Sequence, residues 1–146
     1  MVNFERDPTA LLADEFRRLS LANGWGKKSA RYKRERRNFY GSAAAQDFAS
    51  FWGNNDSRLD AWQDLCRHLG MTTIPTGIRA CKKVSLKLIH VNLIDLVDSK
   101  RQNFRPRTFS SESALAEYIR NSGKVFLKEK AKANPLLRQF LIVVFG

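Results

Sequence analysis

Residues 28–52 read KSARYKRERRNFYGSAAAQDFASFW, and this stretch decides the fold. Its apolar positions are Tyr32, Phe39, Tyr40, Ala43, Ala44, Phe48, Phe51 and Trp52. Their spacing keeps the period of one helical face and holds phase across Gly41. The stretch therefore reads as a long helix beginning near Lys28 or Ser29. Gly41 is where it bends or breaks, at a cost of about 1 kcal/mol against alanine. The aromatic stripe packs inward, and the basic residues take the remaining faces and stay in water.

The flanking sequence is also helical in pattern. Asp7-Pro8 reads as a helix start, a capping acid followed by proline in the first turn. Leu11, Leu12, Phe16 and Leu19 share a stripe, and Asn23-Gly24 suits a left-handed C-cap. After a turn at Gly53–Asp56, Leu59, Trp62, Cys66 and Leu69 form a third helix closed by Gly70. A fourth runs from about Thr76 to Ile89, with Ile78, Cys81, Val84, Ser85 and Leu88 inward. Asn92 caps a short helix, Leu93 to Val97, with Asp95 completing part of a capping box. Residues 99–109 read as a basic loop. Ser110 or Ser111 caps a helix carrying Leu115, Tyr118 and Ile119 inward. Residues 124–133 lead to a Pro135 start and the apolar run Leu136–Phe145, a buried helix end or, if exposed, a partner surface.

These elements predict an all-α fold: a single compact helical domain, 1–146, of about six to seven helices, with its core over about 7–145. The core is expected from Phe16, Leu19, Trp25, Phe39, Phe48, Trp52, Leu59, Trp62, Leu88, Leu96, Tyr118 and Phe140. With 146 residues, 43% of them hydrophobic, and ten Phe, the chain is long and apolar enough for a real core. The N-terminus lacks the pattern of a secretory signal, and no apolar run approaches the ~20 residues of a membrane span. Cys66 and Cys81 suit a reducing compartment, with a structural disulfide the weaker alternative. The expected location is nuclear, with cytoplasmic as the alternative.

Charge is the strongest functional signal. In residues 27–37, KKSARYKRERR, seven side chains are basic and one is acidic. The local net of +6 is half of the chain's +12. On a helix, Lys27, Arg31 and Arg34 share one face, and Lys33 and Arg37 share another. With Lys28, such an array can line phosphates, each contact releasing counterions. A solvated face, an import signal, or binding to anionic lipid or an acidic protein are the competing readings.

Two further basic regions support it. Residues 59–89 resemble a helix-turn-helix in layout: a helix ending at Gly70, a turn with Thr72 and Thr73, then a helix opened by Pro75-Thr76. Arg79, Lys82, Lys83 and Lys87 would be its exposed groups, with Arg79 nearest the helix start. Two helices joined by an ordinary turn fit the same pattern. In the loop KRQNFRPR, 100–107, Arg101, Arg105 and Arg107 could follow a phosphate backbone while Phe104 stacks on a base or tucks onto the core.

Catalytic and metal chemistry find no such pattern. Cys66, His68, Cys81 and His90 invite zinc, but Cys-x-His fits no common knuckle, and both cysteines lie on apolar stripes. Asp95 and Asp98 are accounted for by capping and by nearby Lys100 and Arg101. No phosphate-cradling glycine loop or nucleophile elbow occurs. The chain is read as non-enzymatic, without cofactor or metal.

Gly24-Trp25 with Ser29, Tyr32 and the basic run, Trp62-Gln63-x-Leu65-Cys66, Ile78-x-x-Cys81-Lys82-Lys83, and Val91-Asn92-Leu93-Ile94-Asp95-Leu96-Val97-Asp98 resemble a group of short fungal helical proteins. The resemblance spans about residues 10–140 and implies a fungal origin and one complete domain. It carries no activity and assigns no site residue.

The expected function is a basic nucleic-acid-binding module, DNA ahead of RNA. It requires at least two of the three basic regions to share a face. The alternative is a helical adaptor that binds an acidic partner or dimerises through its apolar C-terminal segment.

Overall fold

The aromatic stripe of the long helix forms one unbroken element. The computed structural model describes residues 3–85 and 89–145, with the side chains of Val84, Ser85 and residues 143–145 outside that description. In chain order come α1 (Leu12–Asn23), α2 (Ala30–Trp52), α3 (Leu59–His68), α4 (Ile78–Ala80, continued as a π-helical turn over Cys81–Ser85) and β1 (His90–Val91). Then follow α5 (Leu93–Gln102), β2 (Thr108–Phe109), α6 (Glu112–Ser122), a 3-10 turn over Lys128–Ala131, and α7 (Pro135–Phe145). The chain is 62% helical and 3% strand, an all-α domain. The strands are a two-residue antiparallel ribbon pairing His90 with Phe109 and Val91 with Thr108.

α2 is the axis of the fold and packs on α1, α3, α5, α7 and the 3-10 turn. Tyr40, Ala43, Ala44, Phe48 and Trp52 are buried along its stripe, as their period predicts. Each large side chain so buried stabilises by about 1.5–3 kcal/mol. Phe48 meets Trp52 at 5.0 Å and Phe140 of α7 at 5.9 Å between ring centroids. Near the other end, Phe16 of α1 gathers Trp25, Tyr32, Phe39 and Tyr40 around its ring. Gly41 does not break α2; it admits the Lys130 side chain, whose Cγ would lie 3.1 Å from an added Cβ. Trp25, Phe39, Leu59 and Tyr118 are half-buried rather than core, and Leu88 lies outside the described residues. Leu12, Leu65, Leu93, Ile94, Leu136 and Leu137 fill the centre with the expected Trp62, Leu96 and Phe140.

Three boundaries differ from expectation for identifiable reasons. α1 begins at Leu12, not at Asp7-Pro8. The Asp7 carboxylate is spent on the Thr9 N–H and hydroxyl, at 2.9 and 2.7 Å. The first turn of α1 is instead capped across the fold: the Leu12 N–H donates to the buried Asp98 carboxylate at 3.1 Å. α5 is longer than Leu93–Val97 because Asp98 and Ser99 face inward, and it ends at left-handed Asn103 (φ 57). The basic loop thus begins at 103 rather than 99. Nine residues, 69–77, separate α3 from a helical run whose described residues are three α-helical and five π-helical. A helix-turn-helix uses a turn of about three to four residues, so the layout departs from that motif in length. Expected Val84, Ser85 and Lys87 positions lie outside the described side chains.

Two expected caps form as predicted. Asn92 accepts the Asp95 N–H and Ser111 the Ala114 N–H, each at 3.1 Å. Asp95 does not complete a capping box; its carboxylate takes Lys124 Nζ at 2.7 Å and the Tyr118 hydroxyl at 2.5 Å.

Candidate functional site

The N-terminal half of α2 starts from Ser29, whose hydroxyl accepts the Tyr32 N–H at 3.1 Å. From that cap, Arg31, Lys33, Arg34 and Arg37 project outward and are exposed, as are Lys27 and Lys28 in the preceding turn. Tyr32 turns inward against Phe16, edge to face at 5.1 Å. Arg31 lies over the Trp25 ring at 5.5 Å, and Arg36, half-buried, over Tyr32 at 5.5 Å.

Apart from Glu35, the carboxylates lie outside the block. Asp14, Glu15, Asp47, Asp60, Asp64, Asp95 and Asp98 pair with cations of other segments. Among the described residues, no cation of 27–37 has a carboxylate within 4.0 Å. The first turn of α2 also lacks an acidic residue, so its cations stand at the positive end of the helix dipole. Cations there oppose the dipole, a local cost of about 0.3–1 kcal/mol each that a bound anion reverses.

The other basic regions divide. Arg107 lies over Phe109 at 4.8 Å and over Tyr118 of α6 at 5.5 Å. The same helix ends at left-handed Gly123, where an added Cβ would fall 2.3 Å from Cζ of Arg36. Tyr118 and Gly123 are about 7 Å apart along the helix axis. Arg107 and the block thus both reach α6. Lys130, against Gly41, extends this basic region along α2. Tyr118, Lys124 and Asp95 form a latch beside it. Burial works against the Lys124 charge, but its bonds to Asp95 and Tyr118 raise its pKa.

A second group gathers on α3, which meets the opposite end of α2 where Trp52 Nε1 donates to Asp64 at 2.7 Å. Arg37 and Trp52 are fifteen residues apart, about 22 Å of helix. Here Lys82 lies over the Trp62 ring at 5.0 Å, half-buried rather than displayed, while Arg79 and Lys83 are exposed. Arg105 donates to the Gly70 carbonyl at 3.3 Å. Arg67 and Lys100, not singled out by spacing, join it through Asp64 at 3.4 and 2.8 Å. Burial opposes the Asp64 charge, yet the bonds from Lys100 and Trp52 hold its carboxyl below the usual range.

Arg101 is not a surface cation. Its side chain is 4% exposed and donates to Asp47 at 2.6 Å, to Asp98 at 3.3 Å and to the Pro8 carbonyl at 3.0 Å. Nothing in the run KRQNFRPR distinguishes it from Arg105 and Arg107; only the longer α5 turns it inward.

The cysteines and histidines do not converge. Cys66 and Cys81 are free, buried and adjacent; burial, then the neighbouring Cys81, push the Cys66 thiol up to about 12. His68 instead meets the Ser99 hydroxyl at 2.7 Å. Among the described residues no group of three His, Cys, Asp or Glu could hold a metal ion, and no helix is long and apolar enough to cross a membrane. No protein-family model, curated protein or solved structure matches this chain.

Proposed function

We propose that this protein is a non-enzymatic nucleic-acid-binding domain that grips the phosphate backbone with the N-terminal part of α2. The supporting observation is the unpaired state of the block. Among the described residues Lys27, Lys28, Arg31, Lys33, Arg34 and Arg37 are exposed with no carboxylate within 4.0 Å, and they make the densest run of cations in the sequence. A helix start that works against its own dipole is a local inconsistency, the kind that marks a site selected for binding rather than stability. Arg107 and Arg36 of the block both reach α6, and Arg107 would extend the phosphate contacts. DNA in the nucleus is the partner and place proposed.

An adaptor docking through the C-terminal helix has less surface to offer. Leu136, Leu137, Phe140 and Leu141 are in the core, and Ile142 is the exposed apolar side chain of α7 among those described.

The test is fluorescence polarisation with labelled duplex DNA, single-stranded DNA and RNA over a salt series. Binding at micromolar or better affinity that weakens steeply with salt supports the proposal. No binding at ~50 mM salt, where phosphate attraction is strong, overturns it.

A further inference from the structure

Phe104 is the large aromatic side chain that stays exposed among the described residues, at 46% of its surface. Its backbone is held: the Phe104 N–H donates to Ser99 O at 2.9 Å, and Asn103 before it is left-handed. The ring lines a cleft of about 350 Å³ together with Arg67, His68, Lys100 and Arg105, within the ≈ 300–1,000 Å³ range of ligand sites.

The cations of this cleft are set in place before any ligand arrives. Asp64 pairs with Lys100 at 2.8 Å and with Arg67 at 3.4 Å. Arg105 is fixed on Gly70, where φ is +89° and an added Cβ would fall 2.0 Å from the guanidinium. Three cations face one carboxylate, so the cleft stays positive. A second groove of about 590 Å³ shares Asp64, Arg67 and Lys100 with it and continues to Arg58 and Phe51. The two clefts adjoin at these shared residues.

An exposed ring flanked by fixed cations suits a base whose face is free and whose phosphates lie to either side. Inside a duplex, both faces of each base are covered by its neighbours. We propose that this cleft takes an unpaired nucleotide of a nucleic-acid strand, with its base stacked on Phe104 and its phosphates on Arg67, Lys100 and Arg105. The proposal rests on the nucleic-acid reading of α2 and adds the strand form preferred.

The experiment compares wild type, Phe104→Ala and Phe104→Tyr on a short labelled single strand and on the blunt duplex of the same sequence. Circular dichroism verifies that each variant is folded. Phe104→Ala should weaken single-strand binding about tenfold, the scale of one lost stack. It should leave duplex binding unchanged, and Phe104→Tyr should restore the single strand. Unchanged single-strand binding in a folded Phe104→Ala protein, or equal loss on both probes, overturns the inference while α2 binding stands. Wild type binding neither probe overturns both. Adenosine monophosphate displacing the strand as effectively as unlabelled strand does would assign the cleft to a free nucleotide and overturn the strand reading.

Discussion

Arg101 and Asp47 form a charge pair at 2.6 Å in which the two side chains are only 4% and 9% exposed. Asp47 also accepts Arg6 at 2.7 and 2.9 Å, and Arg101 also meets Asp98, which caps α1 at Leu12. One buried network thus ties the N-terminal segment, α1, α2 and α5 together. Its members are mutually dependent, because a buried charge without its partner keeps the desolvation cost and loses the attraction.

Asp47→Ala should therefore lower stability by about 3–5 kcal/mol. Replacing the pair together, Asp47→Leu with Arg101→Met, should recover little of that loss, since Arg6 and the buried Asp98 then lack their partners. Urea denaturation midpoints check both. A loss below about 1 kcal/mol for Asp47→Ala would mean that the network is dispensable.

His68 gives the fold a pH dependence near neutrality. Burial, then the charge of Lys100, hold its pKa below 6.5 against the pull of Asp64. The unfolded chain binds the proton first, so the stability from neutral His68 is complete above 6.5 and is lost as pH falls toward the lower folded value. Stability should be flat above pH ~7 and decline below ~6.5. His68→Gln, which can still bond Ser99, should flatten the decline between pH ~7.5 and ~5. At lower pH two carboxyls act in opposite senses: burial raises Asp98, so acidification favours its folded form, whereas the Arg18 bonds lower Glu15, whose contribution is lost as pH falls below 4.5.

Much of the fold was legible because helical period and turn chemistry are local signals. The stripe of α2, the Asn92 and Ser111 caps and the left-handed Gly24 are all readable from spacing and residue type. What escaped reading depends on distant partners. Asp7-Pro8 has every local mark of a helix start, yet the cap that matters is Asp98, 86 residues away. Ser99 to Gln102 look like loop because they are polar, and only the inward contacts of Asp98 and Ser99 show why the helix continues. The same blindness placed Arg101 among the phosphate contacts and passed over Arg67 and Lys100, which owe their grouping to Asp64.

Gly41 illustrates a close approach that sequence cannot show. Gly41→Ala gains helix propensity but forces Lys130 Cγ away from 3.1 Å. In the wild-type background the two effects should nearly cancel. In a Lys130→Ala background, Gly41→Ala should stabilise by about 1 kcal/mol. Thermal denaturation of the four proteins closes the cycle, and an equal effect in both backgrounds would rule out the packing of Lys130 on Gly41.

The thiols should be inert in the native state. Cys66 and Cys81 are fully buried, and the Cys66 thiol is pushed up to about 12. A disulfide-exchange reagent at pH ~8 should label neither until the chain opens, and then both together. Fast labelling of either cysteine in native buffer would contradict the packing of α3 on the π-helical turn.

The most direct test of the central claim is the salt dependence of nucleic-acid binding for wild type and for Arg31→Ala, Arg34→Ala and Arg37→Ala combined. All three are exposed and without carboxylate partners among the described residues, so the variant should fold. The slope of log K against log salt should fall by about three, one per lost phosphate contact. A slope equal to that of wild type in the folded variant would mean that the N-terminal part of α2 does not hold phosphates.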